Sequence, residues 1–174
     1  MRFTANARIC RPGRSAELCA DCCMDDLAVV IVAGGSARRF GGNKLLLEAG
    51  GLPVFLHGVR EFAGAMPGRF VIVTPADQGE LFRSLAEKYC PEARILWTTG
   101  GAARSDSVRA GLAMLPDGVK FVAIHDAARP LATRELLAKV LERAREIGGA
   151  VPAAWSPGAR YPGAGLAERK GAVE

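Results

Sequence analysis

Between residues 28 and 153, five short apolar runs alternate with four stretches of helical period. The runs are Ala28–Ala33, Phe70–Thr74, Arg94–Trp97, Phe121–His125 and Ala150–Ala153, and the stretches are Leu52–Phe62, Asp77–Tyr89, Arg104–Leu115 and Thr133–Ile147. A strand with one face in water would alternate apolar and polar residues, because successive side chains point to opposite faces. These runs are apolar throughout, so both faces need cover, and crossover helices supply it. The expected fold is α/β: a Rossmann-like open, mostly parallel sheet with helices on both faces. Asp77 and Thr133 precede helix formers as N-caps would, and Asp117-Gly118 reads as a turn.

With 174 residues, 49% of them hydrophobic, the chain suits one domain with its own core. No apolar run approaches the roughly 18 residues that span a bilayer, and the first residues lack the apolar centre of a secretory signal. A cytoplasmic protein without membrane contact is expected. The formal net charge of +5 is uneven: +2 over residues 1–23, +2 over 24–154 and +1 over 155–174. So small an excess over the central part speaks against nucleic-acid binding by the folded region. Cys10, Cys19, Cys22 and Cys23 crowd near the start, but adjacent Cys22 and Cys23 suit tetrahedral zinc poorly and no paired Cys/His group follows. The domain plan expected is a disordered lead-in over 1–23, a folded α/β domain over 24–154 and an irregular tail over 155–174. That tail carries two prolines and four glycines and neither structural period.

In an open α/β sheet, ligands lie outside the carboxyl ends of the strands. The loop after the first strand, "AGGSARRFGGNK" (33–44), combines small residues with Arg38, Arg39 and Lys44. Small residues let backbone N–H groups approach an anion, and the cations add charge, so this is a candidate phosphate cradle. It lacks the G-x-G-x-x-G pattern of dinucleotide sites, and Lys44 is not followed by the Ser or Thr of a P-loop. Cations around a triphosphate suit nucleotidyl transfer, where charge develops on the attacked phosphorus and the leaving pyrophosphate. Two later loops join it. "TTGGAARSDSVRAGL" (98–112) sets Gly100-Gly101 before a helix opened by Arg104, Ser105, Asp106 and Ser107, fit for a base or ribose edge. "IHDAARP" (124–130) offers Asp126 as a hard ligand for Mg2+ and Arg129 as a fork for phosphate. His125 reads as a packed strand-end histidine.

"AGGSARRFGGNK", "GGAARSDSVRAGL" and "HDAARP", in this order and spacing, resemble the 2-C-methyl-D-erythritol 4-phosphate cytidylyltransferase family over about residues 27–153. The resemblance implies a nucleotide-diphospho-sugar transferase type of fold and transfer of CMP from CTP to methylerythritol phosphate, with Mg2+ as cofactor, in a homodimer. It implies catalytic roles for Arg39 and Lys44. It implies nucleotide contacts at Ala33, Gly34, Gly35, Gly101, Ala102 and Ser107, with Arg104 supporting the loop. Asp126 matches the Mg2+-linked aspartate and Arg129 an arginine that meets the second substrate.

The departures are specific. "NK" stands for the family's "PK", and Gly34 and Ala37 stand where Ala and Gly are usual. After "GGAVPAA" the family continues Pro-Val-x-Asp-Thr-x-Lys, whereas this chain reads "WSPGARYPG". The expectation is a domain incomplete at its C-terminus, without the dimerisation arm, that turns over poorly as 174 residues. Two alternatives stay open: a nucleotidyltransferase with another acceptor, and a non-catalytic nucleotide-binding remnant.

Overall fold

The computed structural model describes residues 24–34, 43–63 and 69–153. They fall into two compact units, one ending at Thr133 and one starting at Arg134. The first unit contains β1 (Leu27–Val32), a 3-10 turn (Lys44–Leu46), β2 (Glu48–Ala49), β3 (Leu52–Pro53), α1 (Val54–Phe62) and β4 (Phe70–Thr74). Then follow α2 (Gly79–Tyr89), β5 (Leu96–Thr99), α3 (Arg104–Leu112) and β6 (Phe121–Asp126). The second unit contains α4 (Arg134–Ile147), in which Leu141 and Ala144 are buried.

The main sheet runs in the order β5-β4-β1-β6, and every pairing in it is parallel. β1 lies centrally, which is why Leu27, Ala28, Val29, Val30 and Ile31 are at most 2% exposed. Alternate residues of β1 serve opposite faces. Val30 packs with Val71 and Val73 on one face. There α3 approaches so closely at Gly111 that an added Cβ would collide with a methyl group of Val30. Ile31 faces the other way, in register with Ile72 and His125. On that side Ile31 Cδ1 lies 3.2 Å from where a Cβ on Gly58 of α1 would stand. Phe55 of α1 meets Phe82 of α2 with ring centroids 4.5 Å apart, extending the cover across this face. The expected parallel sheet with helices on both faces is thus present within the first unit.

Several boundaries differ from the sequence reading. The stretch expected to be helical from Leu52 starts at Val54, because Gly50 and Gly51, at φ of +59° and +77°, turn the chain into the β2–β3 hairpin. The third strand is Leu96–Thr99 rather than Arg94–Trp97: Thr98 and Thr99 continue the ladder to Thr74 of β4. β-branched residues suit such an edge strand without being apolar. Helix α2 starts at Gly79 with Gln78 at the N-cap position, so Asp77 is not its cap. Helix α3 stops at Leu112, three residues early, in tight turns that bond Met114 N to Gly111 O and Leu115 N to Leu112 O. Ala150–Ala153 is the clearest correction. Residues 150–153 form no ladder, and Val151 is 83% exposed. A strand exists only through hydrogen bonds to a neighbour, and apolar composition does not provide one. The lead-in over 1–23 and the tail over 155–174 lie outside the described residues.

Candidate active site

Strands β1, β4 and β5 build the sheet in one direction, and β6 is then added on the other side of β1. The chain order reverses there, so the loops leaving β1 and β6 diverge and open a crevice at their carboxyl ends. A cavity of about 460 Å³ occupies this position. Its walls come from the end of β1 (Val32 to Gly34), the 3-10 turn (Asn43 to Leu45), the start of α3 (Ala102 to Arg104, Ser107) and the end of β6 (Asp126 to Arg129).

Backbone bonds extend the sheet into these loops: Ala33 N–H donates to Val73 O at 2.8 Å, Gly100 N–H to Thr74 O at 2.8 Å and Ala127 N–H to Val32 O at 3.1 Å. The glycines let the loops meet. A Cβ on Gly34 would stand 3.2 Å from Ser107 Oγ, and one on Gly100 only 2.6 Å from it. A Cβ on Gly101 would strike Asp106. Ser107 is 1% exposed and its hydroxyl donates to Ala103 O at 3.3 Å. Asp106 reaches back to accept from Ala103 N–H at 3.1 Å. Ala103 at the N-cap position has no side-chain acceptor, and its carbonyl takes the N–H groups of both Asp106 and Ser107 at 3.2 Å, which leaves those of Arg104 and Ser105 at the start of α3 to face a bound anion.

The charges converge on Asp126. Its Oδ1 accepts from Arg104 Nη2 at 2.9 Å and Nε at 3.3 Å, and its Oδ2 accepts from Arg129 Nε at 3.2 Å. The turn that starts at Asp126 brings Arg129 into reach through a backbone bond from Arg129 N–H to Asp126 O, 3.0 Å long. Partial burial works to raise the Asp126 carboxyl's pKa, but the hydrogen bonds and charges of Arg104 and Arg129 outweigh it and hold the group below its ordinary range. The two guanidinium side chains stay 61% and 74% exposed, leaving N–H groups free to face a ligand. With Lys44, the described residues of the cavity carry three cations against one carboxylate. That balance suits a polyphosphate.

Of the residues singled out in sequence, Ala33, Gly34, Lys44, Ala102, Arg104, Ser107, Asp126 and Arg129 line this one cavity. Gly101 stands behind it, against Asp106. Gly35, Arg38 and Arg39 lie outside the described residues. His125 belongs to the opposite face of the sheet. Its ring meets Phe62 edge-on at 5.4 Å, and its Nε2 is buried without a partner. The sequence reading noted Asn43 only as a departure from the family's proline, although an Asn ahead of a helical turn is a recognisable cap. It passed over Ala103, Ala127 and Ala128, which carry no chemical signal and line the cavity through their backbones' position. Among the described residues no group of three or more His, Cys, Asp or Glu side chains gathers to hold a metal. No helix there is long and apolar enough to cross a membrane.

Comparison with known proteins agrees with this geometry. The family model of 2-C-methyl-D-erythritol 4-phosphate cytidylyltransferase matches residues 27–156. A relative of that name from Endomicrobium trichonymphae is 39% identical over 127 residues, covering 71% of this chain and 56% of its own length. Another, from Bacillus velezensis, is 37% identical over 129 residues, covering 72% and 55%. The crystal structure of 4-diphosphocytidyl-2C-methyl-D-erythritol synthase from Anaerococcus prevotii superimposes with a TM-score of 0.57 at 25% identity, covering 70% of this chain and 52% of that one. The chain therefore spans about half the length of the relatives it matches. On the match over 27–156 and these identities, the chain belongs to the 2-C-methyl-D-erythritol 4-phosphate cytidylyltransferase family.

Proposed function

We propose that this chain carries the nucleotide-binding part of an enzyme that transfers CMP from CTP to the phosphate of 2-C-methyl-D-erythritol 4-phosphate. The observation that supports it most is the cavity at the β1/β6 switch point, with Lys44, Arg104 and Arg129 around a single carboxylate. Residues 24–154 act as the N-terminal part of a nucleotidyltransferase domain in the cytoplasm.

An oxygen of the acceptor phosphate attacks the α-phosphorus of CTP, a new P–O–P bridge forms, and the bond to pyrophosphate breaks. The attacking phosphate is already an anion, so no general base is needed, and positioning with electrostatic stabilisation carries the rate. Small residues at Ala33, Gly34, Ala102 and Ser107 leave room for the base and ribose. Lys44, with Arg39, meets charge that develops at the α-phosphate and on the leaving pyrophosphate. Arg129 holds the acceptor phosphate. Arg104 fixes the start of α3 to the end of β6.

Mg2+ fits this donor set: Asp126 is the one carboxylate on the cavity among the described residues, and Mg2+ is commonly held by one or two carboxylates together with substrate phosphates. The ion supplies neutralisation of phosphate charge when bound. The carboxylate has about four lone-pair sites, and the two arginines donate three hydrogen bonds to it.

Calorimetric titration of the chain with CTP, UTP, ATP and GTP, with and without Mg2+, tests the reading. CTP is expected to bind tightest, with an affinity that falls as salt is raised. Equal binding of all four, or none, would overturn it.

A further inference from the structure

Lys44 sits on a turn only three residues long, which has little stability of its own. Leu45 buries its side chain beneath the turn, which is capped by Asn43. At φ −79° and ψ 99° it occupies the N-cap position, and its side-chain Oδ1 accepts from Leu45 N–H at 3.1 Å. Its Nδ2 then donates to Gln78 Oε1 at 2.5 Å, across 35 positions of sequence. One amide group thus uses both of its ends.

Gln78 is itself well anchored. Its N–H donates to Pro75 O at 3.3 Å, in the turn that follows β4, and its C=O accepts from Phe82 N–H at 3.1 Å, in the first turn of α2. Phe82 is fully buried against Phe55. The chain Leu45–Asn43–Gln78 therefore ties the Lys44 turn to β4 and α2, two elements that do not line the cavity.

We propose that Asn43 and Gln78 are a pair of positioning residues, a side-chain latch that holds the Lys44 ammonium at the cavity. This rests on the reading of the cavity as a nucleotide site only for its consequence on binding. The latch itself is a structural relationship that can be measured without ligand. The backbone angles of Asn43 are open to proline, whose ring imposes φ near −65°. Asn43→Pro would stiffen the turn through the ring and lose both hydrogen bonds, so it should make Gln78 irrelevant.

The experiment is a set of variants of the chain: Asn43→Ala, Gln78→Ala, Asn43→Pro, and Asn43→Pro with Gln78→Ala. Each is measured for CTP affinity, for amide exchange at Leu45 and for melting temperature. Asn43→Ala is expected to speed Leu45 exchange about three- to tenfold, the worth of one net hydrogen bond. It is also expected to weaken CTP binding by no more than loss of the Lys44 ammonium does, while the melting temperature stays within a degree or two. Gln78→Ala should weaken CTP binding in the Asn43 chain and have no effect in the Asn43→Pro chain. Equal losses from Gln78→Ala in both backgrounds would overturn the latch, as would unchanged Leu45 exchange in Asn43→Ala. If no variant and not the parent binds CTP, the nucleotide reading fails, and the exchange measurement still decides the latch.

Discussion

Arg104 Nη2 lies 2.9 Å from Asp126 Oδ1 and joins the first residue of α3 to the last residue of β6. The two are 22 positions apart in sequence, and β5 and β6 lie at opposite edges of the sheet. The pair closes the crevice from the side of α3, and Arg129 completes it from the following turn. Arg104 is 61% exposed and Asp126 37%, so solvent screens the contact and it contributes little to stability, on the order of 0–1 kcal/mol. Its value lies in where it leaves the charges.

Asp126→Asn removes the only carboxylate that the described residues bring to the cavity. CTP binding without Mg2+ is expected to hold or tighten, because Lys44, Arg104 and Arg129 then face the triphosphate unopposed. The gain in affinity that Mg2+ brings to the parent should disappear, since an amide oxygen is a poor ligand for a hard cation. Titrations at fixed CTP across a Mg2+ series check this. An Mg2+ response equal to the parent's would remove the metal role from Asp126.

Lys44→Ala, in a protein that spans the full length of the relatives, is expected to lower kcat by about 10²–10³ and to weaken CTP binding far less. The reason is a cation set to meet charge that develops only during transfer. Steady-state kinetics separate the two effects, and a kcat within about threefold of the parent, roughly 0.65 kcal/mol, would sink the assignment.

Gly111→Ala should destabilise the fold although alanine favours helices over glycine by about 1 kcal/mol. The added methyl would press into Val30, and a side chain of Val73 stands 3.0 Å away. Overpacking of this sort typically costs about 1–3 kcal/mol. Chemical denaturation gives the sign directly, and a stabilised variant would contradict the close packing of α3 on the sheet.

Stability should decline as pH falls below neutrality because of His125. Burial is the chief cause that pushes its pKa below the ordinary 6.5; the Arg129 charge adds to this, while the Asp126 charge and a backbone hydrogen bond with Arg129 oppose it. A folded-state pKa below the unfolded one means that the unfolded chain binds more protons between the two values. Stability from this group is therefore complete above about pH 6.5 and is lost progressively below it. Melting curves from pH 7.5 to 5.0 should show a decline that His125→Asn flattens. Asp126 acts at lower pH: its depressed carboxyl loses its contribution only as pH falls through and below its ordinary 3.8.

Much of this was legible in the chain itself. Apolar runs without alternation, such as Leu27–Val32 and Phe70–Thr74, require cover on both faces, so parallel pairing between helical layers follows from composition and period alone. The loops at 33–44, 100–107 and 126–129 stand out in sequence as a candidate phosphate cradle through small residues beside cations, because close backbone approach and fixed charge are local properties of residue types. Other features depend on neighbours that sequence order does not reveal. Ala150–Ala153 has the composition of a strand, yet nothing among the described residues pairs with it. His125 and Asp126 are adjacent in sequence, yet the pleat turns one toward Phe62 and sets the other on the cavity. The link from Asn43 to Gln78 and the convergence of Arg104 and Arg129 on Asp126 exist only because the sheet order brings distant loops to one end. Residue types thus determined which groups could act, and the topology decided which of them meet, since hydrogen bonds and ion pairs depend on separations in space.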